Sequence, residues 1–392
     1  MKVIFRILRM LRFLLINKKL VGMISPAPPG SLGDEALISG FSALIKSKGK
    51  RFQEILVYPN TIPCENEIAT DSVLNFINDG RKSNLTLAIK LLKYEHLYII
   101  GADTLDGGYS PAKNLAWVNI ANLASELGVA VSFISFSFSN EPNSSVLDAL
   151  SKSNSNIKFC ARDPASKNRF EQLTSKPAKQ VADLAFSMVP VYDKEHVKKF
   201  RDWLESEKKA GKIIIGLNIN TLPLDIPIHQ IVSNFYGAIK KTLNNYENVT
   251  FALLPHDFRE NQSDEAVLAQ LASKLNEPDR IRLFRGPFHA SEVKAVVSGI
   301  DMLISGRMHL AIAALSQGVP VFCFTYKDKF EGLMAIFGLD NTLFDKSLIS
   351  SEETILSTLE SAISNYAIQS AIIKEKLPSV KKLSALNVDT KD

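Results

Sequence analysis

The sequence predicts an α/β protein built from two Rossmann-like, doubly wound domains. Three observations carry this. The chain has 392 residues, more than one ordinary hydrophobic core holds. Short β-branched or aromatic runs alternate with amphipathic stretches from Leu20 to about Ile363. The short runs are continuously apolar, as in strands of a parallel sheet covered on both faces.

Strands are read at Leu20–Ser25, Leu97–Ile100, Ala130–Phe136, Lys158–Ala161, Ile213–Asn218, Val249–Leu254, Ile281–Phe284, Met302–Ser305 and Pro320–Phe324. Helices between them include Lys113–Leu127, Ile226–Leu243, Asp264–Leu275 and His289–Val297. The turn-like Pro190–Lys194, the charged helix Glu195–Lys209 and Gly211 mark a break. The expected domains are therefore 1–190 and 195–365, followed by a polar, Lys-rich tail over 366–392. Doubly wound sheets bind ligands at the carboxyl ends of their strands, so two such domains facing a cleft place the chemistry there.

The net charge of +5 is local, because residues 1–19 hold six basic residues and no acid. The rest carries 40 basic against 41 acidic residues, which gives no basic face for nucleic acid. The three cysteines, Cys64, Cys160 and Cys323, are scattered. They argue against a disulfide framework or a zinc site and fit a reducing cytoplasm. No other metal-ligand cluster is evident, so no metal is expected.

At about 100° per residue, Lys2, Arg6, Arg9, Arg12 and Lys19 fall within an arc of about 140°. Ile4, Ile7, Leu8, Leu11, Leu14 and Leu15 lie opposite. The longest charge-free apolar run, Phe13–Ile16, is too short to span a bilayer. Two readings stand open: a basic amphipathic helix on an anionic inner leaflet, or a first helix packed on the body.

The motifs cluster at strand ends. Pro28–Leu37 (PPGSLGDEAL) is a Gly/Pro loop opening a helix. Asp34 and Glu35 there suit sugar hydroxyls, or else complement the helix N-terminus. Ile99–Gly108 crowds Asp103 and Asp106 among glycines, as a close backbone approach to a ligand or as a capped turn. Arg162 ends a strand, placed to hold a carboxylate or phosphate or to form an ion pair. Asp183, in an apolar run, reads as a buried structural acid. His256 beside Asp257 is a candidate acid–base or ligand-contacting group. Gly306–Pro320 (GRMHLAIAALSQGVP) turns from a strand into an apolar helix, so Arg307 and His309 at its start form an anion site. Lys329, in the next loop, adds a phosphate contact or is a solvated charge.

Together Pro28–Leu37, Ile99–Ser110, Ala161–Ser166, Val181–Phe186, Leu253–Asp257, Gly306–Val321 and Tyr326–Leu333 resemble the polysaccharide pyruvyl transferase family. Ser31 departs from the Asn expected before the GD-E-A box in many members. The resemblance implies a glycosyltransferase-B-like architecture. It implies phosphoenolpyruvate as donor, with no cofactor, and a sugar of a surface polysaccharide or lipid-linked repeat unit as acceptor. Arg307 and His309 match the family's R-x-H box and are implied donor ligands and catalytic groups; Arg162 matches a further family arginine and Lys329 joins them on the donor side. Asp34, Glu35, Asp103 and His256 are the candidate acceptor contacts. A nucleotide-sugar glycosyltransferase of the same architecture and a non-catalytic glycan-binding subunit are the alternative readings.

Overall fold

Runs such as Val21–Ile24 and Leu97–Ile100 have few polar side chains to offer water, and both sit at the centre of a sheet. The computed structural model describes residues 2–25, 31–56, 70–72, 80–220, 226–259, 263–286, 288–325 and 329–389. Its contacts divide the chain into two units.

The first unit comprises Met1–Pro29, Leu37–Ser187 and Lys382–Asp392. Its elements begin with α1 (Lys2–Leu15), β1 (Leu20–Ile24), α2 (Leu32–Ser47, whose first five residues count with the second unit), β2 (Arg51–Leu56), β3 (Thr70–Ser72) and α3 (Gly80–Leu91). There follow β4 (His96–Ala102), α4 (Pro111–Glu126), β5 (Ala130–Phe136), α5 (Ser144–Ser151), β6 (Lys158–Ala161), α6 (Pro164–Thr174) and β7 (Lys179–Gln180). The strands pair in the order β3-β2-β1-β4-β5-β6-β7, all parallel. Local chemistry sets the helix starts. Asn143 accepts from the backbone N–H groups of Ser145 and Val146 at 3.1 and 3.3 Å, and Asp163 accepts from Ser166 N–H at 2.7 Å. Pro111 and Pro164 occupy first turns, where a missing N–H costs nothing.

Apolar side chains cover both faces of this sheet. Trp117, Phe133, Phe136 and Phe170 belong to one cluster, and Val21, Phe41, Tyr98 and Ile134 to the other. Val388 completes the second cluster. Asn387 fixes it there, its Oδ1 accepting from Ser135 N–H at 2.9 Å and its Nδ2 donating to Ala182 O at 2.8 Å.

The second unit comprises Gly30–Ala36 and Met188–Lys381. It contains α7 (Glu195–Lys209), β8 (Ile213–Leu217), α8 (Ile228–Asn245), β9 (Val249–Leu253), α9 (Asp264–Leu275), β10 (Ile281–Leu283) and α10 (Ala290–Val297). It continues with β11 (Met302–Ser305), α11 (Met308–Leu315), β12 (Val321–Thr325), α12 (Lys329–Phe337), β13 (Leu343–Asp345) and α13 (Glu352–Ala385). The strand order is β10-β9-β8-β11-β12-β13, again parallel throughout. In both sheets the winding reverses beside the unit's first strand, between β1 and β4 and between β8 and β11.

Contacts place the break at Ser187/Met188. The tail expected over 366–392 is corrected. Helix α13 runs through it to Ala385, because Ile355, Leu359, Ala362, Ile373 and Val380 recur on one buried stripe. Its lysines occupy the remaining faces.

Candidate active site

The winding reversal of the second sheet opens a gap beyond the carboxyl ends of β8 and β11, where open α/β sheets bind ligands. Asn218 and Asn220 follow β8, His256 and Asp257 follow β9, and Arg307 follows β11. Gly306 is needed at this turn, since a Cβ there meets Asn220 Cβ at 2.9 Å. Asn220 Nδ2 donates to Gly306 O at 3.1 Å, and Ser305 Oγ accepts from Arg307 N–H at 3.0 Å. Arg307 is extended (φ −112°, ψ 116°) and caps α11, so His309 stands in that helix's first turn.

A buried ionic cluster occupies the gap. Asp264 and Asp257 are almost wholly buried and therefore require cations. Arg307 Nη2 donates to Asp264 Oδ1 at 2.7 Å and Nε approaches both Asp264 oxygens at 3.2 Å. Its Nη1 lies 3.1 Å from Asp257 Oδ2. Arg259 grips the same Asp257, with Nε 2.9 Å from Oδ1. Asn218 Nδ2 and the His256 N–H donate to Asp264 Oδ2 at 2.9 and 3.1 Å. Burial raises the Asp264 pKa above the ordinary carboxylate value, opposed by the Arg307 charge. Two desolvated carboxylates thus already hold the Arg307 fork that the sequence places at the anion site. Asp257 orients the two arginines, not His256.

His256 is buried, and neither ring nitrogen makes a hydrogen bond among the described residues. Burial holds its pKa well below the usual 6.5, and the nearby His309 and Arg307 charges push the same way. It is therefore a neutral imidazole at pH 7. His309 is half-buried. A Cβ on Gly33 meets His309 Nδ1 at 2.5 Å, so the absence of a side chain at 33 lets the imidazole lie against the start of α2. This joins the GD-E-A box to the R-x-H box within one unit. An antiparallel bridge between Ser31 and Asp257 fixes the same segment.

The acids of that box divide. Asp34 is half-buried and lies in the field of Arg259. Glu35 Oε1 instead lies 2.9 Å from His289 Nδ1 and accepts from Ala290 N–H at 3.1 Å, capping α10.

In the first unit, Arg162 is buried, with Nε donating to Ser137 Oγ at 2.7 Å and Nη1 to Asp183 Oδ2 at 2.9 Å. Its Nη2 makes no hydrogen bond among the described residues. Asp183 is the buried structural acid expected, also accepting from Ala185 N–H at 2.8 Å. Asp103 follows β4 and lies 3.3 Å from the Tyr109 hydroxyl. Lys329 opens α12, but its side chain lies outside the described residues, as do Pro28–Gly30 and Tyr326–Asp328 of the quoted motifs.

Sequence reasoning missed Asp264, Arg259, Asn218 and Asn220. Asp264 reads from sequence as a helix-start acid, and nothing local tells that its partner is 43 residues away.

Comparisons with known proteins bear on this geometry. A family model described as polysaccharide pyruvyl transferase matches residues 32–328. The amylovoran biosynthesis protein AmsJ of Erwinia amylovora is 24% identical over 163 residues, which is 38% of this chain and 39% of that protein. The match thus spans well under half of that relative. Among solved structures, S. aureus MnaA with UDP has a TM-score of 0.61 at 14% identity, covering 95% of this chain and 98% of that one. The UDP-GlcNAc 2-epimerase of Neisseria meningitidis bound to UDP-GlcNAc gives 0.56 at 13% identity, over 94% and 98% of the chains. Anabaena HepE with UDP and glucose gives 0.56 at 12%, over 95% and 96%. These likenesses show the glycosyltransferase-B-like fold expected from the sequence.

Proposed function

The chain belongs to the polysaccharide pyruvyl transferase family, and from that premise we propose that it transfers the enolpyruvyl unit of phosphoenolpyruvate to a glycan sugar, forming a pyruvate ketal. The observation that carries this reading is His309. It sits in the first turn of α11, beside a two-arginine cluster and against Gly33 of the other motif.

The donor is an anion with a carboxylate and a phosphate. The first N–H groups of α11 and its partial positive charge favour such a group. Arg307 joins by exchanging one partner. A phosphate oxygen takes the Nη1 N–H from Asp257, which keeps Arg259, while Asp264 holds Nε and Nη2. His309, as an imidazolium, protonates the methylene carbon of the donor, and cationic character develops at C2. One sugar hydroxyl adds at C2 and loses its proton to a base; neutral His256 and Asp34 are the candidates. Phosphate leaves, and a second hydroxyl closes the ketal with loss of its own proton. No step draws on a cofactor or metal.

The test supplies purified protein with labelled phosphoenolpyruvate and a defined oligosaccharide acceptor. Phosphate release matched by a product one pyruvate ketal heavier is expected. Consumption of a labelled nucleotide sugar instead would overturn the reading in favour of glycosyl transfer. Binding of the glycan with neither donor consumed would assign a glycan-binding subunit.

A further inference from the structure

We propose that α1 is a docking surface for an anionic lipid bilayer. A surface helix ordinarily hides its apolar face against the body, but most of the described apolar side chains of α1 are exposed. Leu8 packs on the core of the first unit, and Arg12 Nη2 donates to Tyr94 O at 2.8 Å and Glu95 O at 3.3 Å. Leu8, Arg12 and Ile16, each four residues on, form the narrow half-buried stripe that anchors the helix.

The face away from that stripe is apolar and bare. Met10, Phe13 and Leu14 are 75%, 74% and 67% exposed, with Ile7 and Leu11 beside them. Arg6 and Arg9 border this ridge, Lys18 and Lys19 follow it, and all four are exposed. No acidic residue occurs among the first nineteen. An apolar ridge bordered by cations matches an interface of acyl chains beneath anionic headgroups. A second copy of the chain fits poorly, because a two-fold contact sets the same cations against one another. No described helix is long and apolar enough to cross a membrane.

The experiment is co-sedimentation of the full chain with vesicles of phosphatidylcholine alone or with roughly 30% phosphatidylglycerol. Binding to the anionic vesicles about tenfold tighter than to the neutral ones is expected. Arg6→Glu/Arg9→Glu and Met10→Ser/Leu14→Ser should each abolish it, with unchanged circular dichroism and melting, since these side chains are exposed. Failure of the unaltered chain to bind anionic vesicles overturns the proposal. So does wild-type binding by both variants, or a light-scattering dimer that Met10→Ser/Leu14→Ser dissolves. None of these outcomes depends on which donor the enzyme uses.

Discussion

His309 and Gly33 are 276 positions apart in sequence, yet a single added methyl at position 33 falls on the imidazole. The atom met belongs to a side chain, so Gly33→Ala is accommodated by moving the ring rather than the backbone. Turnover should fall roughly a hundredfold while the melting temperature changes little, because small displacements of a catalytic group cost about that much. Loss of folding, or full activity, in the purified variant would remove the link between the two motifs. His309→Ala should cost about 10²- to 10⁴-fold in kcat with the fold intact, the usual worth of a general acid. His96 makes a prediction independent of function. It is buried in β4, stacked on Tyr98 with ring centroids 4.0 Å apart and 2.9 Å from Ser132 Oγ. Burial, with help from Lys50, Lys158 and Lys48, lowers its pKa from 6.5 to about 3. Above pH 6.5 the ring is neutral folded or unfolded and contributes no pH dependence. As pH falls from 6.5 to about 3, the unfolded chain takes up a proton that the folded one refuses. Stability therefore falls, by about 1.4 kcal/mol per pH unit. Urea unfolding between those limits should show the decline, and His96→Phe, which keeps the stack, should flatten it by that slope.

At the scale of elements, close backbone approaches behave differently from the Gly33 contact. Gly40, inside α2, faces the carbonyl of Leu184, and a Cβ there would lie 2.0 Å from that oxygen. Neither backbone can yield cheaply. Gly40→Ala should destabilise the first unit by about 2 kcal/mol or more despite alanine's better helix propensity. Chemical denaturation would detect this, and an unchanged midpoint would contradict the packing. Some elements have the ends their residues predict: β5, β6 and β11, whose apolar runs are almost wholly buried, and α7 and α9, which each bury one stripe. The four strands the sequence hides have other reasons to exist. Arg51–Leu56 carries Glu54, whose buried carboxylate accepts from Ser25 Oγ at 2.7 Å, a partner no local pattern announces. Thr70–Ser72, Lys179–Gln180 and Leu343–Asp345 are two or three residues long at sheet edges, too short for a period to show. Pro378 and the lysines around it read as a tail, yet the stripe through Ile373 and Val380 keeps α13 going. The site divides similarly. Arg307, His309 and His256 are legible as polar residues at strand ends, whereas Asp264 is identified by a partner 43 residues away and Arg259 by sharing Asp257 with Arg307.

For the whole molecule, charge is segregated: six cations lie in the first nineteen residues and the remainder is balanced to within one charge. The candidate chemistry lies in the second unit and the amphipathic helix in the first. The two activities should therefore separate by acceptor. With a water-soluble oligosaccharide, Arg6→Glu/Arg9→Glu should turn over within about twofold of the unaltered chain, since both side chains are exposed and belong to the unit that does not carry the Arg307 cluster, and exposed charges are screened over about 10 Å at ordinary salt. With the same sugar carried on a lipid in anionic vesicles, the variant should be slower by about thirtyfold or more. Each arginine near such a surface is worth on the order of 1 kcal/mol, and two reversals lose attraction and add repulsion. Raising the salt should shrink the difference between variant and unaltered chain by weakening the latter's attachment. Equal slowing on both acceptors would mean that α1 acts on the catalytic unit itself, and surface attachment would then not be how it affects the rate.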